Sequence, residues 1–233
     1  SIVSVRACLF LFLMIRRPPS ATLFPYPTLF RSFGGTLNDG DGFGASLTSV
    51  GDVDGDGLSD MLVGTPYSDA GGAQTGSLWT CFLDAGGAVT GQVELRGVDL
   101  GAQAGEALGA ALAQAAGDWT GGAPGVLVGS PSGGDSSAGA IRVLALGSDG
   151  RVRESHLIDA ANGGLVGPLA AGDGLGFGLA ALGDTDGDGM SELLAGAPGD
   201  DGAGDGRGAV WALELKRRSE EHTSELQSHP NLV

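Results

Sequence analysis

Two nine-residue stretches concentrate the oxygen donors of this chain. The first reads Asp52-Val53-Asp54-Gly55-Asp56-Gly57-Leu58-Ser59-Asp60, and the second Asp184-Thr185-Asp186-Gly187-Asp188-Gly189-Met190-Ser191-Glu192. Carboxylates at positions 1, 3 and 5 can converge on one point where the backbone turns tightly. A glycine at position 6, here Gly57 or Gly189, permits the positive φ that such a turn needs. Position 7, Leu58 or Met190, can then offer its backbone carbonyl, and position 9, Asp60 or Glu192, a further carboxylate. Six or more hard oxygens around a flexible loop suit Ca²⁺, whereas Zn²⁺ takes His or Cys and Mg²⁺ keeps its waters. The sequence therefore predicts two Ca²⁺ sites with these ligands. Ordinary Asp-Gly turns on an acidic surface would account for one or two of the aspartates. Four in nine residues are another matter. At ~5 Å separation and an effective dielectric of ~20–80, each pair repels by roughly 1–3 kcal/mol, which a divalent cation relieves.

Register separates these loops from their neighbours. An EF-hand needs a bidentate Glu at position 12, but the twelfth residues are Val63 and Ala195, inside apolar strand-like runs. Tandem glycine-rich nonapeptide repeats would need a period of nine, which is absent. A third stretch aligns with the two loops but has lost the ligands: Gly117-Asp118-Trp119-Thr120-Gly121-Gly122-Ala123-Pro124-Gly125 holds one carboxylate and is expected to be metal-free.

The elements that must position these loops recur as well. Three openers read Gly40-Asp41-Gly42-Phe43-Gly44, Gly105-Glu106-Ala107-Leu108-Gly109 and Gly172-Asp173-Gly174-Leu175-Gly176. Twenty residues after each closing glycine comes G-x-P: Gly64-Thr65-Pro66, Gly129-Ser130-Pro131 and Gly196-Ala197-Pro198. A glycine and a strand-like run follow, GSLWTCFLD at 76–84, GAIRVLAL at 139–146 and GAVWALEL at 208–215. The period is 65 and then 67 residues, which makes this a repeat architecture. Short apolar runs such as Met61-Leu62-Val63, Val126-Leu127-Val128 and Leu193-Leu194-Ala195 read as brief buried strands. The alternation in Val89 to Leu95 suits a half-buried strand. The alanine-rich AQAGEALGAALAQAA would favour a helix on propensity alone, but the repeat places it on a first strand and its approach. About four strands per repeat is the size of one propeller blade.

The G-x-[FL]-G opener, the DxDxDG loop and the closing G-x-P resemble the FG-GAP repeat of integrin α-subunit propellers and related bacterial surface proteins. The resemblance spans nearly all of residues 33–217. It implies an all-β, partial β-propeller of about three four-stranded antiparallel blades, with repeats near 33–98, 99–166 and 167–217. It also implies calcium loops that end at position 9, directly before a buried strand, in an extracellular, secreted or cell-surface protein. The implied role is a non-catalytic adhesion or interaction module for a protein or glycan ligand. An accessory propeller of a larger secreted enzyme, with its catalytic domain elsewhere, is the alternative.

The ends read differently. Residues 14–32 resemble the translation of a common short-read sequencing adapter, from which they differ at Ser20, Ala21 and Pro27. Arg218 to Ser228 match the translated opposite adapter. Segments 1–32 and 218–233 are therefore expected to be adapter-derived and disordered, and the natural protein to continue beyond both. A signal peptide is the rival reading of the N-terminus, with Arg6 before the apolar run Ala7 to Ile15, too short to span a bilayer.

Between them, residues 33–217 hold 25 acidic against 7 basic residues, a formal −18, which disfavours a nucleic-acid partner. One cysteine there, Cys81, offers no disulfide framework. A single histidine, His156, is expected in a loop as a solvated polar residue, and neither a nucleophile elbow nor a phosphate-binding loop is present. Asp41, Glu106 and Asp173, the second residues of the openers, are assigned to turn chemistry, and Trp79 and Trp211 to packing.

Overall fold

A computed structural model describes residues 33–115, 125–165, 167–187, 189–202, 206–215 and 228–229. Its described elements are strands and two short 3-10 turns, at Gly97–Leu100 and Asp135–Ser137. Three antiparallel meanders follow one another along the chain. The first blade contains β1 (Ser46–Gly51), β2 (Asp60–Thr65), β3 (Ser77–Leu83) and β4 (Val89–Arg96). The second contains β5 (Ala111–Ala115), β6 (Gly125–Ser130), β7 (Ala140–Leu146) and β8 (Val152–Ile158). The third contains β9 (Gly178–Gly183), β10 (Glu192–Ala197) and β11 (Ala209–Leu213). A two-residue strand β12, Ser228–His229, pairs with Ala212 and Leu213 of β11. These two residues fall in the segment expected to be disordered and are the described part of it; the rest of 218–233, like 1–32, lies outside the described residues.

The architecture is all-β and a partial propeller. First strands stand side by side, β1 against β5 and β5 against β9, so the sheets pack face to face around a common inner edge. Side chains that alternate along each strand serve two neighbours. Val50, Leu62 and Leu78 of the first blade point forward onto Val126, Val128 and Leu144 of the second. Leu127 and Ile141 of the second point forward onto Leu193, Ala195 and Trp211 of the third. Each fully buried aliphatic side chain of this kind contributes ~1.5–3 kcal/mol. Val63, Trp79 and Cys81 form a third cluster on the rear face of the first blade, covered by Phe33 and Leu37.

The G-x-P glycine has a packing reason. A Cβ on Gly64 would collide with the Gly109 carbonyl, and one on Gly129 with the Gly176 carbonyl, so each second strand must be bare where the next opener crosses it. The joint is then stitched by hydrogen bonds. Leu108 N donates to Thr75 O (3.1 Å), Leu175 N to Ala138 O (3.0 Å), Ser46 Oγ to Gly109 O (2.6 Å) and Thr80 Oγ1 to Gly150 O (2.8 Å).

Two expectations are tested by the strands themselves. The alanine-rich stretch forms no helix: its end is β5, because Ala115 packs into the core between the second and third blades while Gln114 faces solvent. His156 stands not in a loop but on β8, paired with Val143, its exposed side chain 3.7 Å from Glu154.

Candidate metal centre

Each acidic loop is the hairpin connection between the first and second strands of a blade. A bulge ends the first strand, so that Gly51 pairs with Asp60 and Gly183 with Glu192 across the mouth of the loop. Position 1 therefore starts just outside the sheet, and position 9 is already the first residue of the second strand. That is why Asp60 is buried (2% exposed) while Asp52 and Asp54 lie open to solvent. Gly57 and Gly189 both take φ +88°, the conformation expected of position 6.

The first aspartate organises the turn. Asp52 Oδ1 accepts from Gly55 N (2.7 Å) and Oδ2 from Gly57 N (2.9 Å). Asp184 repeats this with Gly187 N (2.6 Å) and Gly189 N (3.0 Å). Position 9 anchors the loop to the sheet. Asp60 Oδ2 accepts from Val53 N (2.9 Å) and Oδ1 from Leu83 N of β3 (3.1 Å). The result is a convergence of three carboxylates in each loop: one oxygen from each of Asp52, Asp54 and Asp60, and of Asp184, Asp186 and Glu192, all within 4.8 Å of one another.

The remaining predicted ligands divide. Asp56 stands outside the convergent set, and its Oδ1 accepts from Leu58 N (2.8 Å). Leu58 is half-buried and Met190 buried at position 7 of their loops. Asp188 lies outside the described residues, as does the aligned second-blade loop with Asp118 up to Pro124.

The longer acid at position 9 makes the third-blade loop different. Glu192 Oε2 accepts from Thr185 N (2.6 Å) and from the Thr185 hydroxyl. Its Oε1 is buried and has no hydrogen-bond partner, where the first loop uses the corresponding oxygen on Leu83 N. An unpaired buried carboxylate oxygen costs at least ~1–3 kcal/mol. The three convergent carboxylates of each loop could hold a metal ion, and their oxygens are of the hard kind that a cation such as Ca²⁺ takes. Beside the first loop, burial pushes the Cys81 thiol up to about 12, and the nearby Asp60 carboxylate adds to the rise.

The openers show what spacing did not disclose. Asp41 and Asp173 are turn residues as expected, accepting from Asn38 N and Ala170 N (both 2.7 Å). Glu106 instead makes a buried ion pair with Arg142 Nη2 (3.0 Å), while Arg142 also donates to Ser130 Oγ (3.1 Å) and Leu100 O (3.2 Å). Arg142 occupies the strand position of Trp79 and Trp211, which pack as expected at 5% exposure. The double exchange was visible in the aligned repeats: the one opener with Glu accompanies the one third strand with Arg.

A comparison with curated proteins gives no significant match. The sequence model of the FG-GAP repeat matches the chain twice, at residues 43–81 and 176–213. Each match runs from an opener through one of the two convergent acidic loops into the third strand of its blade, so the two FG-GAP matches fall on the first and third blades of this β-sheet array.

Proposed function

We propose that the chain is a calcium-binding, non-catalytic propeller module that presents its loops to a protein or glycan ligand outside the cell. The observation that carries the calcium reading is the twofold convergence of three carboxylates within 4.8 Å, one of them bearing a buried oxygen without a partner. Two sites are proposed, built on Asp52, Asp54 and Asp60 and on Asp184, Asp186 and Glu192, with Asp56, Asp188 and the position-7 carbonyls of Leu58 and Met190 completing the oxygen shell. The extracellular setting and the interaction role rest on the FG-GAP repeats, which are typical of extracellular and cell-surface proteins. Among the described residues no helix is long and apolar enough to cross a membrane.

Calorimetric titration of the chain with Ca²⁺ at ~0.15 M NaCl tests the reading; exposed charges are heavily screened at that ionic strength. Two equivalents are expected, at dissociation constants of ~10⁻⁴–10⁻³ M. Asp54→Ala and Asp186→Ala should each remove about one equivalent, and Asp118→Ala none. Equal responses to all three substitutions, with binding erased by the salt, would reduce the loops to a diffuse counterion surface.

A further inference from the structure

The two acidic loops share a turn but not a chemistry at position 9. In the first, both oxygens of Asp60 are occupied by backbone amides, Oδ2 by Val53 N (2.9 Å) and Oδ1 by Leu83 N (3.1 Å). In the third blade, Glu192 receives both of its bonds on Oε2, from Thr185 N (2.6 Å) and from the Thr185 hydroxyl. Its Oε1 is buried and accepts from no group among the described residues. Position 2 is part of the same difference, because Val53 stands where Thr185 stands and has no hydroxyl to give. Position 8 separates the loops further. Ser59 is exposed, so water can satisfy its hydroxyl, whereas Ser191 is fully buried and its Oγ has no partner. The third-blade loop thus holds two unpaired buried oxygens in succession, where the side chains at the same positions of the first-blade loop hold none.

An unpaired buried oxygen bears the full cost of its lost hydration until a partner arrives, and a carboxylate oxygen bears the larger cost because it carries charge. The fold has already met that cost at Asp60. It has not met it at Glu192. We propose that the two calcium sites are unequal, and that the third-blade loop fills first because the Oε1 of Glu192, kept free by Thr185, is the oxygen that the cation satisfies. This inference rests on the calcium reading above and adds an order to it. Binding at the convergence of Asp184, Asp186 and Glu192 recovers a cost that binding at Asp52, Asp54 and Asp60 does not. Recovering one such contact lowers the dissociation constant by at least ~5-fold. At intermediate calcium the chain therefore carries one ion, on the third blade, while the β1–β2 hairpin is still empty. The molecule has two calcium thresholds, set by the residues at positions 2 and 9 of each loop.

Hydrogen exchange of the full chain across a Ca²⁺ titration, read loop by loop, is the test. Protection of Gly187 and Gly189, whose amides Asp184 holds, should be half-gained at a calcium concentration at least ~5-fold below that for Gly55 and Gly57, held by Asp52. Calorimetry should resolve the same two steps. Thr185→Val copies the first loop at position 2, and it should raise the third-blade midpoint while leaving the first-blade midpoint where it was. Thr185→Val combined with Glu192→Asp should bring the two midpoints together. Thr185 is exposed, so the single exchange leaves the fold intact even where the double exchange does not. Two ions bound with equal midpoints, or with the first-blade loop filling first, overturn the order and leave the calcium reading standing. So does a Thr185→Val variant that moves both midpoints alike. Calcium-dependent protection in neither loop overturns the calcium reading itself, and the order with it.

Discussion

At the scale of single residues, the repeats act as internal controls, because the same position is filled three times. Asp41 and Asp173 satisfy a backbone amide, but Glu106 reaches past that role to Arg142, which stands where the other blades have tryptophan. Arg142 and Glu106 are 2% and 5% exposed, so breaking the pair leaves a buried charge uncompensated. Arg142→Leu or Glu106→Gln should each cost ~3–5 kcal/mol in urea denaturation. The double exchange Glu106→Asp with Arg142→Trp, which installs the pattern of the other blades, should recover most of that loss. Strict additivity of the two changes would show that the pair is not a unit. Cys81 supplies a pH test. Its folded pKa of about 12 lies above the usual ~8.5, so its thiol favours the fold fully below pH ~8.5, and that contribution is lost as pH rises through 12. Urea stability should therefore fall from pH 9 to 11 more steeply than in a Cys81→Val variant, and native Cys81 should resist alkylation at pH 8. Parallel slopes would remove burial as the cause. The carboxylate convergence was legible in the sequence because ligand spacing is local. The Glu106–Arg142 pair was not singled out because its members are 36 residues apart and each is unremarkable alone.

At the scale of elements, turn chemistry and strand patterning did most of the specifying. The openers, the G-x-P signal and the apolar runs located β2, β6 and β10 and the strands that follow them, because these central strands are buried on both faces. The strand β8 carries no legible pattern: VRESHLI has four exposed polar residues in succession, and the residues that pack into the joints, Val152 and Ile158, stand at its ends. The alanine-rich stretch became β5 because flanking by β1 and β9 outweighs a preference worth under ~1 kcal/mol per residue. Two glycine substitutions separate conformation from space. Gly57→Ala meets no neighbour but must hold φ +88°, so it should cost ~1–2 kcal/mol and weaken the first calcium site specifically. Gly129→Ala has no unusual φ, yet its Cβ would strike the Gly176 carbonyl. It should lower stability by ~1–3 kcal/mol while leaving both calcium stoichiometries at one. Thermal denaturation paired with calcium titration distinguishes the two, and the same phenotype from both would mean that the loop and the joint are not independent elements.

At the scale of the whole molecule, the question is how much of the fold depends on calcium. The clusters between first and second and between second and third sheets are built of apolar side chains, most of them on the strands. The proposed metal binding would enter at the β1–β2 and β9–β10 hairpins, through Asp60 and Glu192 at the first residue of each second strand. With free calcium at ~1 mM and a dissociation constant of ~0.1 mM, each site adds only ~1.4 kcal/mol to folding. Two sites together are thus a modest fraction of a domain's ~5–15 kcal/mol, large enough to measure and too small to hold the sheets. Chelation should therefore lower the melting temperature by several degrees while leaving the far-ultraviolet β signal intact. Hydrogen exchange should localise the change: amides of Gly55, Gly57, Gly187 and Gly189, held by Asp52 and Asp184, should lose protection, while those of β6 and β7 at the centre of the second blade should not. The second blade lacks an intact acidic loop, so it is the built-in reference for a change that calcium does not cause. Uniform loss of protection across all three blades would show that the ions, and not the apolar joints, keep the array together.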